Sequence, residues 1–285
     1  MLHLSKPLLI VLTALLGSTA LFITLCIPLD DAAAPRMQSL SPIVLEPYHA
    51  AAVSLGKVED QSAPDFSDIR HAPDRKTAFY EFLLPMIHEA NLEVARERRW
   101  LGGLGMQLLN GHQLSQEQRS ELIPIERRYN LRSRGNSDAG RIGELLKRVD
   151  TVPAALVVAQ AAKESGWGTS RFATAANNYF GIWCFYQGCG VTPLRRTVGL
   201  THEVATFTSV RQSVRYYVRT LNTHIAYDGF REMRSTRRFA NEPIIGDELA
   251  SGLLRYSERG LAYVEEIQAM IRYNKLKRFN VPYRA

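Results

Sequence analysis

The sequence predicts a mainly helical, α+β chain, and three observations carry that prediction. Apolar residues recur with the 3.6-residue period of a helix in four stretches, beginning near Arg75, Ser115, Thr151 and Ser209. The one region that reads as β is a small lobe, entered by a turn at Asn177 to Ile182 and ending with Val204 to Phe207. The composition, 46% hydrophobic and 22% charged over 285 residues, is globular and excludes wholesale disorder. The net charge of +7, carried mostly by Arg, favours contact with anionic polymers, lipid head groups or nucleic acid without choosing among them. Three cysteines are too few for a disulfide scaffold or a four-thiolate zinc site, though two could pair.

Leu8 to Leu29 carries no ionisable group except Cys26 and approaches the ~20 apolar residues of a spanning helix. Lys6 precedes it and Asp30 and Asp31 follow, so the positive-inside rule leaves the start in the cytoplasm and exports the rest. Residues 1–29 are therefore expected to be a membrane anchor, with the body exported. The competing reading is a cleavable signal ending at Ser18-Thr19-Ala20, which would leave Leu21 to Leu29 as an apolar terminus. Residues 30–74 hold Pro35, Pro42, Pro47, Pro64 and Pro73 without a sustained period, and are expected to be a flexible tether.

A helical segment is expected over 75–149. Phe79, Phe82, Leu83, Met86, Ile87, Ala90, Val94 and Leu101 share one side of it, with a start or a kink expected at Pro85. Ser115 to Tyr129 opens with Ser115 and Gln118 at capping-box spacing. Ser133 to Gly140 reads as a loop.

A further domain is expected over 150–285. Thr151 to Ser165 reads as a helix capped at Asp150 or Thr151, with Pro153 in its first turn, Ala-rich packing, and Gly166 as its stop. Glu164 then sits in the last turn, where the helix's partial negative charge raises a carboxylate's pKa, as a general acid requires. Trp167 is expected to supply an apolar wall beside it, with Gly166 and Gly168 leaving room for a substrate. Ser209 opens another helix, on which Arg211, Arg215 and Arg219 form a stripe that must face water or meet an anion. From Arg195 to Arg238 nine Arg stand against Glu203, Asp228 and Glu232, either as a solvated face or as a track for an acidic polymer.

The segment Ala159 to Ser170, containing Glu164-Ser165-Gly166-Trp167-Gly168, and then Asn177-Asn178-Tyr179-Phe180-Gly181-Ile182, resembles the core motif of the family 73 glycoside hydrolases in the spacing of its Bax-type members. The resemblance continues through Phe207-Thr208-Ser209, Asn222 to Tyr227, and Arg255-Tyr256-Ser257 with Tyr263, covering roughly 150 to 275. It implies a lysozyme-like fold and a peptidoglycan N-acetylglucosaminidase that cuts the β-1,4 bond after N-acetylglucosamine. Glu164 would be its catalytic acid, and Tyr227 would position the substrate's N-acetyl group. Trp167, Asn178, Tyr179, Phe180, Tyr256 and Tyr263 become candidate sugar-binding residues.

Glu203 is the candidate second carboxylate, with Asp228 the other local option. If neither serves, the sugar's own 2-acetamido oxygen can attack, which needs only one acid. A lytic transglycosylase and a non-catalytic peptidoglycan-binding module remain the alternative functions. Cys184 and Cys189 suit a short turn, closed as a disulfide outside the membrane or, alternatively, contributing to a metal site short of ligands. No metal and no organic cofactor is expected. The expected partners are peptidoglycan strands and the inner membrane, with no nucleic acid and the chain acting as a monomer.

Overall fold

Helix α1 (Ala72–Leu109) is the long apolar-striped element that the sequence placed after residue 75, and it begins slightly earlier, with Pro73 in its first turn. This is a computed structural model, and it describes residues 62–132, 137–193 and 202–281. The expected anchor and most of the expected tether lie outside the described residues, and among these no helix is long and apolar enough to cross a membrane. The helix start expected near Pro85 does not occur there, because α1 runs through it. A proline inside a helix costs about 3 kcal/mol, whereas each buried large apolar side chain contributes about 1.5 to 3 kcal/mol, and Phe82, Leu83, Met86 and Ile87 flank it in the core. The last part of the segment expected to be a tether belongs to the folded body instead. Phe66 is fully buried, with its ring centroid 5.6 Å from that of Phe79 and 5.9 Å from that of Phe82.

Helix α2 (Gln116–Arg128) has the capping box expected at Ser115 and Gln118. Helix α3 (Asp138–Arg148) overlaps the end of the segment read as a loop. Ser137 caps it, and Ile142 and Leu145 bury one face. Helix α4 (Ala154–Ser165) is the central element, buried almost throughout and packed against α1. Its small Ala side chains let neighbouring helices approach closely. Pro153 is its N-cap rather than a first-turn residue, and Gly166 ends it in the left-handed conformation at φ 57°.

Helix α5 (Arg171–Ala176) leads into the β-lobe, where β1 (Trp183–Cys184), β2 (Gly190–Val191) and β3 (Glu203–Ala205) pair antiparallel in the order β1-β3-β2. Helix α6 (Val210–Thr223) starts at its Ser209 cap, followed by a 3₁₀ turn (Ile225–Tyr227) and α7 (Asp228–Phe239). The chain then forms α8 (Gly246–Leu249), a 3₁₀ turn (Ala250–Leu253) and α9 (Leu261–Tyr273), with a last 3₁₀ turn over Leu276–Phe279. Helices α8 and α9 also pack on α4, and buried residues from both sides of position 150 belong to one continuous core.

Asp150, expected as a helix cap, is instead buried among cations. Arg238 holds its carboxylate at 2.8 and 3.0 Å, Arg98 stands at 3.6 Å and Arg234 at 3.8 Å. Arg211 and Arg215 of the stripe meet an anion within the fold: both guanidiniums pair with Glu89 of α1, and Arg215, itself exposed, pairs also with Glu93. Much of the basic excess after residue 195 is thus spent inside the fold.

Candidate active site

The last turn of α4 carries Glu164, and the residues after it explain why the chain must reverse there. Gly166, Trp167 and Gly168 all take positive φ, at 57°, 60° and 83°. At Gly168 even a methyl group would lie 2.3 Å from the Phe66 ring, so only glycine fits. Ser165 locks the reversal by donating to the Ala161 carbonyl at 2.6 Å and accepting from the Gly168 N–H at 2.9 Å. Gly168→Ala is expected to lose about 2 to 4 kcal/mol, combining overpacking with left-handed strain, and chemical denaturation checks this.

The reversal turns Trp167 away from its expected place beside the carboxylate. Its ring packs on α1, with centroids 5.5 Å from Phe79 and 5.8 Å from Tyr80, and Lys76 Nζ lies 4.9 Å above it. Three other candidate sugar contacts are also structural. Tyr179 is buried against Phe79 and Phe82, and Phe180 is buried and stacked 4.2 Å from Tyr217. Asn178, also buried, donates to the Ile182 and Ala205 carbonyls and accepts from the Phe180 and Ile182 N–H groups, tying the turn to the β-lobe.

Around Glu164 the fold gathers a different set. The Tyr217 hydroxyl donates to Gln160 Oε1, Gln160 Nε2 donates to the Tyr263 hydroxyl at 2.9 Å, and Tyr263 donates to Glu164 Oε1 at 2.8 Å. Helices α6, α4 and α9 thereby meet in one directional chain of hydrogen bonds that ends on the carboxylate. Tyr256 stacks 5.4 Å from Tyr263 and donates to the Phe180 carbonyl at 2.7 Å, and Tyr227 lies 6.1 Å from Tyr256. Gly181, at φ 62°, approaches the other carboxylate oxygen so closely that a β-carbon there would come within 3.1 Å of Oε2.

Burial raises the Glu164 carboxyl above its ordinary pKa, while the Tyr263 hydrogen bond and the nearby Lys163 ammonium pull it partly back. The direction is the one expected for this residue, and desolvation is its main cause. Burial also pushes the Tyr227 phenol up to about 12, so near neutral pH it is a neutral hydroxyl able to donate.

Glu203 does not face this cluster as a free base. Buried in β3, it accepts from the Gly188 N–H at 3.2 Å and the Gly190 N–H at 2.8 Å, holding the β1–β2 turn. Asp228 pairs with Arg231 at the start of α7. Cys184 and Cys189 are joined as a disulfide, so neither sulfur is left as a metal thiolate. His224 accepts the Ala226 N–H through Nδ1, a structural role. Gln160 and Tyr217 were not singled out from the sequence; the signal for Gln160 was its place one turn before Glu164 on the same helix.

Residues 141–276 match the glucosaminidase family, described as mannosyl-glycoprotein endo-beta-N-acetylglucosaminidase. The chain is also similar to Protein bax of Escherichia coli (strain K12), with 34% identity over 222 residues that span 78% of each chain. The chain belongs to this glucosaminidase family, in its Bax-type branch. No solved structure matches it. The matched region of this glucosaminidase contains every residue of the Glu164 hydrogen-bond chain and the whole β-lobe, and its membership makes the chain a glycoside hydrolase acting on glycan.

Proposed function

We propose that this glycoside hydrolase cuts the β-1,4 bond after N-acetylglucosamine in peptidoglycan, with Glu164 as the general acid. The observation that carries the reading is the state of that carboxyl: half-buried, raised in pKa, held through Oε1 by Tyr263, and with Oε2 beside the open backbone of Gly181. Protonated, Oε2 can deliver its proton to the leaving sugar oxygen, and ionised, the same group can later take one from water. Tyr227, a neutral hydroxyl close to the cluster, is assigned to orient the substrate's 2-acetamido group. Glu203 is held by the β-lobe backbone, so the attacking group assigned here is the acetamido oxygen rather than a second carboxylate.

Digestion of purified sacculi followed by mass spectrometry tests this. Products with reducing N-acetylglucosamine ends are expected, and they must vanish in Glu164→Gln. Anhydromuramic ends would overturn hydrolysis in favour of transglycosylation, and a fully active Glu164→Gln would remove the residue from the mechanism.

Tyr263→Phe probes the same carboxyl. Its hydroxyl favours the ionised form, so removing it raises the Glu164 pKa further. The alkaline limb of the kcat profile, where the acid loses its proton, is then expected to move up by as much as about one pH unit. A downward shift would contradict the assignment.

The proposed setting is the periplasmic face of the inner membrane, with the chain a monomer tethered through residues 1–29. The apolar run from Leu8 to Leu29, its flanking charges and a disulfide suited to an oxidising compartment support it. Retention of the full chain in the membrane fraction after alkaline washing is the expected result.

A further inference from the structure

The turn between β1 and β2 exposes large aromatic rings on a backbone that is unusually constrained. Phe185 is 76% and Tyr186 72% exposed, and Trp183, 49% exposed, is stacked on His202 with ring centroids 4.1 Å apart and planes 2° from parallel. The Cys184–Cys189 disulfide closes the turn across its base, while Glu203 grips the Gly188 and Gly190 N–H groups from β3. A surface turn gains nothing in folding from bare aromatic rings, since burying each would contribute about 1.5 to 3 kcal/mol, and clustered exposed apolar side chains mark contact surfaces. The constraints reduce the conformational freedom that binding would otherwise cost.

Two further facts indicate what the rings meet. The turn is continuous with the site of chemistry: Gly181 abuts Glu164 Oε2, and Trp183 follows two residues later, about 7 Å of extended chain. From Trp183 to Val191 there is no Lys, Arg, Asp or Glu, so the surface suits an uncharged partner rather than a carboxylate or an anionic lipid head group. A polymer cut at Glu164 must continue past the cleft, and the apolar C–H faces of its sugar rings match flat, uncharged aromatic surfaces.

We propose that Trp183, Phe185 and Tyr186 form a platform for the glycan strand beyond the scissile bond, held in place by the Cys184–Cys189 disulfide and Glu203. This rests on the glycan-hydrolase reading of Glu164 and adds the part of the site that recognises a long strand rather than a single bond. Glu203 then acts as a positioning residue for binding.

The test uses the full chain in two assays. In the first, Trp183→Ala and a Phe185→Ser/Tyr186→Ser double variant are compared on purified sacculi and on a soluble fragment of two disaccharide repeats. The KM on sacculi is expected to rise about tenfold relative to that on the fragment. An unchanged ratio overturns the platform, because a folding defect would lower both activities together. The second assay measures co-sedimentation with sacculi in a Glu164→Gln background, which needs no turnover and stands even if that acid assignment fails. There, Trp183→Ala and Cys184→Ser/Cys189→Ser are each expected to weaken binding. Equal co-sedimentation of all variants overturns the platform, as does an aromatic-dependent association with phosphatidylcholine vesicles in place of sacculi.

Discussion

Glu164→Gln is expected to lower turnover by about 10²- to 10⁴-fold, the usual contribution of a positioned general acid, while keeping the protein folded and bound to sacculi. The same substitution is expected to raise thermal stability at neutral pH. Burial holds the Glu164 carboxyl above its ordinary pKa, so the folded state binds a proton more tightly than the unfolded chain does. The sign follows from linkage: stability associated with this group is greatest below the unfolded carboxylate pKa of about 4.3 and declines as pH rises through the higher folded value. Wherever the group is ionised, the wild-type chain therefore carries a partly desolvated carboxylate at a net cost, which a neutral amide does not. Differential scanning calorimetry at pH 4 and pH 7.5 checks this. The variant's gain should be larger at pH 7.5, and a loss of stability there would mean that the carboxylate is a structural anchor.

Asp150→Asn should have the largest effect on stability, about 3 to 5 kcal/mol, because it leaves buried guanidiniums without their common counter-charge. Burial by itself would raise the Asp150 carboxyl, but Arg234, Arg238 and Arg98 more than offset that and hold it below its ordinary value. Burial also pulls the Arg234 guanidinium down to about 10, still charged at neutral pH, with Asp150 opposing the fall. Arg234 further donates to the carbonyls of Lys147, Arg148, Asp150 and Thr151, so the cluster fastens the end of α3 and the approach to α4 onto α7. Because the folded pKa is depressed, this contribution is complete above the unfolded Asp value of about 3.9 and is lost as pH falls through the folded one. Urea midpoints at pH 7 and pH 3 should differ in the wild type by more than in Asp150→Asn. Equal differences would show that the cluster contributes nothing to acid sensitivity.

Local features were legible in the sequence where a few neighbouring residues set them. The Ser115-Gln118 capping box, the Ser209 cap and the left-handed stop at Gly166 each depend on side chains and backbone groups within about one helical turn, and each is present as read. Helix α3 carried comparable signals in Ser137, Ile142 and Leu145, outweighed by the Gly-, Ser- and Asn-rich residues before it. At Pro85 a local rule allowed a helix start, and remote packing along the whole of α1 carried the helix through it.

The glycan-hydrolase signature around Glu164, its position in the last turn of α4 and the spacing of Cys184 and Cys189 could all be read along the chain. Which of the motif's aromatics face the carboxylate could not, because Trp167 and Tyr179 are drawn away by Phe79, a partner roughly a hundred positions distant in sequence. The same holds for charge and polarity: Arg215 meets Glu89 across 126 residues, and Gln160 reaches Tyr263 across 103. Periodicity and capping tell which face of an element turns inward, since they arise from bonds between near neighbours. What that face meets depends on how helices from distant parts of the chain pack, and here that packing decided that Glu164 is joined by tyrosines and Gln160 while Glu203 holds the β-lobe turn.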